Sequence, residues 1–118
     1  YNHKIVEGQL QGGLMQGIGQ VFGEHIAYDP ANGQLLSGTF MDYFMPRAEN
    51  LSPLLMIDCG VPSPVNSLGA KGAGEAGATG AVPALANAVF DALKAVNVKH
   101  IEMPYSPARV WAAIHHEE

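Results

Sequence analysis

Glu75 is the only carboxylate in "NSLGAKGAGEAGATGAVP", residues 66–83, and five glycines (Gly69, Gly72, Gly74, Gly77 and Gly80) surround it. Each glycine costs backbone entropy on folding and supplies no side chain to pack. Spending five of them around one acid points to something bulky lying close to the backbone, with Glu75 placed for acid–base chemistry. A carboxylate that faces a desolvated cavity has its pKa raised and becomes a useful general base. A plainer account is an acid at the start of a helix, favoured there by the macrodipole. Lys71, four residues earlier, reads either as an ion-pair partner of Glu75 or as a surface residue.

The second group of chemistry-bearing side chains is a set of amides. In "GQLQGGLMQGIGQVFG", residues 8–23, Gln9, Gln16 and Gln20 share one side with Gly12, Gly13, Gly19 and Gly23. Glycine within a helix costs roughly 1 kcal/mol relative to alanine. Such a face suits either tight helix packing or a ligand that takes hydrogen bonds from the amides.

Other chemistries find less support. Residues 72–77, "GAGEAG", match G-x-G-x-x-G, but a dinucleotide site needs that turn directly after a hydrophobic strand. The preceding "VPSPVNSLGAK" is too proline-rich for a central strand. Histidines 3, 25, 100, 115 and 116 show no metal-ligand spacing with a cysteine or acid, so no protein-ligated metal is expected. The six basic residues stand singly and the net charge is −5, which argues against a nucleic-acid partner. No apolar run is long enough for a membrane span. Lone Cys59 leaves no internal disulfide and fits a reducing, cytoplasmic setting.

Positioning these groups requires a scaffold. Residues 8–23 read as a helix with Leu10, Leu14, Ile18 and Val21 on its packing stripe. "EHIAYDPANGQLLSGTF" (24–40) reads as a β-hairpin about Asp29–Gly33. "MDYFMPRAENLSP" is irregular, "LLMIDC" (54–59) a strand, and 60–77 a long loop. A second helix is expected over 83–96, with Pro83 in its first turn and Val82, Leu85, Ala86, Val89, Phe90, Leu93 and Val96 on one face. "VKHIEM" (98–103) reads as a last strand, and 106–114 as a terminal helix capped by Ser106 with Pro107 at its first position. The expected class is α+β: two main helices packed with a β-hairpin and further short strands. Length 118 is one domain's worth, and only 14% of residues are charged, against about 25% in an ordinary globular protein. So little charge predicts a surface partly covered by other protein, either the rest of a larger subunit or an oligomer.

"GQLQGGLMQGIGQ", "TFMDYFMP", "GAKGAGEAGATGAVPALANAVFDAL" and "MPYSPARVWAAI", in this order, closely resemble the C-terminal end of the molybdenum-binding subunit of the xanthine dehydrogenase/aldehyde oxidase family. The branch containing the large subunit of aerobic carbon monoxide dehydrogenase is the nearest likeness. The resemblance runs over essentially all of residues 1–118, read as one piece of a larger molybdopterin-binding domain. It implies water-derived hydroxylation or oxidation of a small substrate, such as an N-heterocycle, an aldehyde or carbon monoxide. It implies a molybdenum cofactor held through a pterin, in bacteria often as the cytosine dinucleotide. It makes Glu75 the general base and brings Gln9 to the molybdenum centre, with Gln16, Gly72 and Gly74 shaping the cofactor cavity. Implied partners are the remainder of the molybdenum subunit and iron–sulfur and flavin subunits or domains. Cofactor binding then needs the segments lying outside this chain, and the isolated chain is expected to be inert. The competing expectation is a non-catalytic, self-associating binding module derived from the same fold.

Overall fold

Three α-helices carry the structure, a computed structural model that describes residues 2–115. Helix α1 is His3–Phe22, α2 is Ala76–Leu93 and α3 is Pro107–His115, with short 3₁₀ turns at Ala48–Asn50 and Lys94–Val96. His116 lies outside the described residues.

Helix α1 starts earlier than its apolar pattern indicates because Asn2 caps it. The Asn2 Oδ1 accepts from the backbone N–H of Lys4 at 3.1 Å and of Ile5 at 3.3 Å. Helix α2 also starts early, at Ala76 rather than 83, which leaves Pro83 inside the helix instead of at its first turn. Glycine and alanine make this first stretch a poor helix by propensity, and packing overrides that.

The packing is unusually close. A Cβ placed on Gly13 would lie 2.6 Å from the backbone nitrogen of Ala78 and 2.9 Å from the Cα of Gly77. A Cβ on Gly17 would overlap that of Ala81, and one on Gly77 would collide with the Leu10 carbonyl oxygen. The helices therefore touch backbone to backbone, glycine supplying the room. Contacts advance together from Gly13–Gly77 to Gly17–Ala81, so α1 and α2 run in the same sense. The glycines, not the leucine stripe, form the centre of the α1 contact face; Leu10 and Leu14 flank it, half-buried.

Beyond the crossing lies the core: Val21, Leu93, Val98, Ile101 and Tyr105 are buried, with Val82, Leu85, Ala86, Val89 and Phe90 of α2 packed against them. The expected α2 face is thus observed, except that Val96 is 40% exposed. The Tyr105 N–H donates to the Val21 carbonyl at 2.6 Å, and the Phe90 and Tyr105 rings meet edge to face at 5.8 Å. Helix α3 begins as expected: Ser106 Oγ accepts from the Arg109 N–H at 3.4 Å.

The expected α+β class is wrong. Among the described residues there is no strand; the segment read as a β-hairpin holds a single antiparallel bridge, Tyr28 to Leu35. Its turn chemistry is present, with Gly33 at φ 74° and Asp29 and Asn32 side chains accepting backbone N–H groups. The ladder stops because Ser37 Oγ takes the Ala27 N–H at 2.9 Å, and no third strand lies beside the pair. Residues 54–59 and 98–103 likewise have no ladder, having no extended neighbour to pair with.

The chain is extended for its length. Its radius of gyration is 18.2 Å, against roughly 13.5 Å for a compact domain of this size. It exposes 9114 Å², about 2900 Å² more than a folded monomer of this mass.

The crossing gives a paired test. Gly13→Ala is expected to destabilise the chain by about 1–3 kcal/mol, because the added methyl meets backbone that cannot move aside. Gly12→Ala, where a Cβ would meet nothing within 4 Å, is expected to be neutral or to stabilise by up to ~1 kcal/mol. Urea denaturation measures both; equal effects would contradict the close crossing.

Candidate functional site

The close crossing leaves two flanks, and an open cleft lies along one of them. Gly12, Gln16 and Gln20 of α1 face Ala78 and Val82 of α2 across an open cleft of about 450 Å³, closed at its far end by Glu24, Met45 and Pro46. Glu75 stands immediately before α2, three and seven residues ahead of Ala78 and Val82, and is not itself among the residues lining the cleft.

Glu75 occupies the N-cap position of α2, but its side chain makes no capping hydrogen bond. Its backbone carbonyl does the local structural work, accepting from the Thr79 N–H at 3.0 Å and the Thr79 hydroxyl at 2.9 Å. The carboxylate is exposed, so these residues alone do not form a desolvated cavity around it. Lys71 is not its partner: the ion pairs among the described residues join Arg47 to Glu49 and Lys94 to Asp91.

The glycines divide into two kinds. Gly13, Gly17 and Gly77 are filled by the opposing helix, whereas a Cβ on Gly8, Gly12, Gly72, Gly74 or Gly80 would meet nothing within 4 Å. Gln9 is exposed, one turn before Gly12 and Gly13 on α1. Gln16 lines the cleft itself. Gln9 lies in the first half of α1 and Gln16 in the second, while Gly72 and Gly74 lead into α2 with open space beside them.

The floor of the cleft comes from the segment read as irregular. Pro46 packs over Gly19, where a Cβ would lie 2.9 Å from the proline ring, and the Phe44 ring lies directly on Gly23. Phe44 is therefore a packing residue at α1. Tyr43 of the same segment lies within the electrostatic influence of Glu24. Sequence spacing does not reveal the packing of Pro46 and Phe44 on α1; Gly19 and Gly23, four apart, are its only trace. Among the described residues, no group of three or more His, Cys, Asp or Glu side chains is placed to hold a metal ion, and no helix is long and apolar enough to cross a membrane.

The Tyr43 phenol pKa is raised above its ordinary 10.0, first by desolvation and then by the charge and hydrogen bond of Glu24. The folded chain holds this proton more tightly than the unfolded one, so folding stability should fall as pH rises through and above about 10. In a spectrophotometric titration, the component lost in Tyr43→Phe should ionise above the other tyrosines. Glu24→Gln should move it back toward 10 without removing the desolvation part. An unchanged Tyr43 titration in Glu24→Gln would remove Glu24 as a cause of the shift.

Against known proteins, residues 1–52 match the family model of the molybdopterin cofactor-binding domain. The carbon monoxide dehydrogenase large chain of Hydrogenophaga pseudoflava is 39% identical over 113 residues, covering 96% of this chain and 14% of that protein. The nicotine 6-hydroxylase large subunit of Paenarthrobacter nicotinovorans is 40% identical over 109 residues, covering 92% and 13%. The crystal structure of quinoline 2-oxidoreductase from Pseudomonas putida 86 superposes with a TM-score of 0.90 at 37% identity, covering 99% of this chain and 15% of that one. The chain thus spans about one-seventh of the length of the proteins it matches.

Proposed function

Because this chain belongs to the molybdenum-binding large subunits of the xanthine dehydrogenase/aldehyde oxidase family, in the branch of carbon monoxide dehydrogenase, we propose that it supplies the general base and part of the cofactor pocket of a molybdenum hydroxylase. One observation carries the reading: Glu75, at the start of α2, has a side chain that makes no capping hydrogen bond, on a helix whose Ala78 and Val82 line an open cleft together with Gln16 and Gln20.

The residues present fit a pterin-bound molybdenum group. A Cβ at Gly12, Gly72 or Gly74 would stand in open space, so each glycine leaves room that any other residue would take. The amides of Gln9 and Gln16 can both donate and accept, which suits a heterocycle edged with both kinds of group. When bound, the cofactor supplies the two-electron oxidation and the water-derived oxygen of the hydroxylation. Glu75 accepts a proton on a carboxylate oxygen and later releases it; Gln9 and Gln16 hold the group in register. The remaining six-sevenths of the subunit closes the site around Glu75. We take the cytosine dinucleotide form as the cofactor, iron–sulfur and flavin subunits or domains as the route out for electrons, and a reducing cytoplasmic setting. Relatives named for carbon monoxide and for nicotine align equally over this stretch, so the choice of substrate is assigned to other segments.

In the assembled enzyme, Glu75→Gln is expected to reduce turnover by about 100- to 10,000-fold while leaving molybdenum content unchanged. Steady-state rates and elemental analysis read the two effects separately, and a variant with most of its activity would remove Glu75 from the base role. Gln9→Ala is expected to lower molybdenum retention; full metal content with unaltered rates would count against that contact.

A further inference from the structure

Glu75 is reached through a stretch of chain that is bonded at its two ends and free between them. The N–H groups of Lys71 through Glu75 have no hydrogen-bond partner among the described residues. A Cβ at Gly72 or Gly74 would meet nothing within 4 Å. On the far side, the Glu75 carbonyl is tied to α2 through the Thr79 N–H and hydroxyl. The near side is fixed at Ala70, by one side chain.

That side chain is Asn66. Its Nδ2 donates to the Ala70 carbonyl and its Oδ1 accepts from the Ala70 N–H, both at 2.9 Å. A primary amide carries a donor and an acceptor side by side, so it satisfies both backbone groups of one residue as a paired strand would. The rest of the loop braces it. The Gly69 N–H donates to the Asn66 carbonyl at 3.1 Å, and the Ser63 N–H to the Gly69 carbonyl at 2.9 Å. Gly69 takes φ 63°, and a Cβ there would stand 3.0 Å from the Pro62 ring. Residues 62–70 thus close on themselves, although neither helix nor strand runs through them.

The direction in which a side chain leaves the backbone is set by the chain on both sides of its Cα. Helix α2 holds one side of Glu75. On the other, the grip on Ala70 limits the paths open to residues 71–74, and so limits how the carboxylate is aimed. Aim matters for a base, since a misplacement of about 1 Å can cost about 100-fold in rate.

We propose that Asn66 is a positioning residue for Glu75: by holding both backbone groups of Ala70 it anchors the approach to the acid and orients its carboxylate. This rests on the base role of Glu75 proposed above.

The test is Asn66→Ala in the assembled enzyme, with carbon monoxide, nicotine and quinoline as probe substrates. For the probe that the unaltered enzyme oxidises fastest, kcat per molybdenum should fall about 10- to 100-fold with KM unchanged. Asn66→Asp, which keeps the size and the acceptor but loses the donor, should show the same split. Hydrogen exchange read by mass spectrometry should speed by about 10-fold or more in peptides covering Gly69 and Ala70, and stay unaltered in the second half of α2. The double variant Glu75→Gln, Asn66→Ala should be no slower than Glu75→Gln alone, because a residue that acts through the carboxylate then has nothing to aim. Unchanged kcat, unchanged exchange, a rate loss accounted for by lost molybdenum, or a double variant slowed by the full Asn66 factor would each overturn the inference and leave the base role standing. A Glu75→Gln enzyme with most of its activity would overturn both.

Discussion

Backbone contact between α1 and α2, at Gly13 and Gly17 against Gly77 and Ala81, is the constraint on which the remaining geometry depends. Any side chain there would wedge the helices apart and widen the cleft that Gln16 lines with Ala78 and Val82. The helices pay for this in intrinsic stability, since glycine is about 1 kcal/mol worse than alanine in a helix interior. Close van der Waals contact along the crossing offsets it. At their far ends, Val21 and Leu93 are anchored in the same core, with Tyr105 bonded to the Val21 carbonyl. The crossing and the core together hold the two helices at a defined separation.

Glycine does two different jobs in one short helix. Gly13 and Gly17 are occupied by the neighbouring helix, while Gly8 and Gly12, on the next face round, stay open. The first kind sets distance and the second leaves volume. Chemistry needs both, because a base is useful only at a fixed distance from a space that something else can enter. The floor built by Phe44 and Pro46 repeats the device, with Gly23 and Gly19 admitting bulky rings against α1.

Much of this was legible before any coordinates. The apolar face of α2, the Ser106 cap, the turn at Asp29–Gly33 and the isolation of Glu75 all follow from local rules of periodicity and capping. The strands were not legible, because alternation in 24–40 and an apolar run at 54–59 describe segments ready to pair, and pairing needs a neighbour that the described residues do not supply. The start of α2 was misplaced for the opposite reason: "AGATGAV" is a weak helix by itself, and the opposing glycines of α1 make it one. Nothing along α1 distinguishes Gly12 from Gly13 either; only the position of the second helix does. Glu75 could be singled out by composition, yet its exposure depends on how much protein surrounds it.

Because α1 and α2 run in the same sense, no tight turn can join them, and the whole stretch between Phe22 and Ala76 is spent returning the chain to its starting end. The contacts that matter most are therefore far apart in sequence. During synthesis α1 leaves the ribosome long before the helix that completes it, carrying a glycine-rich face with little tendency to stay helical. Ring closure over such a span is slow, and a chain waiting for it exposes apolar segments at their most adhesive. The same parallel crossing thus also sets a kinetic vulnerability, one that makes the pairing of α1 with α2 a late event in folding.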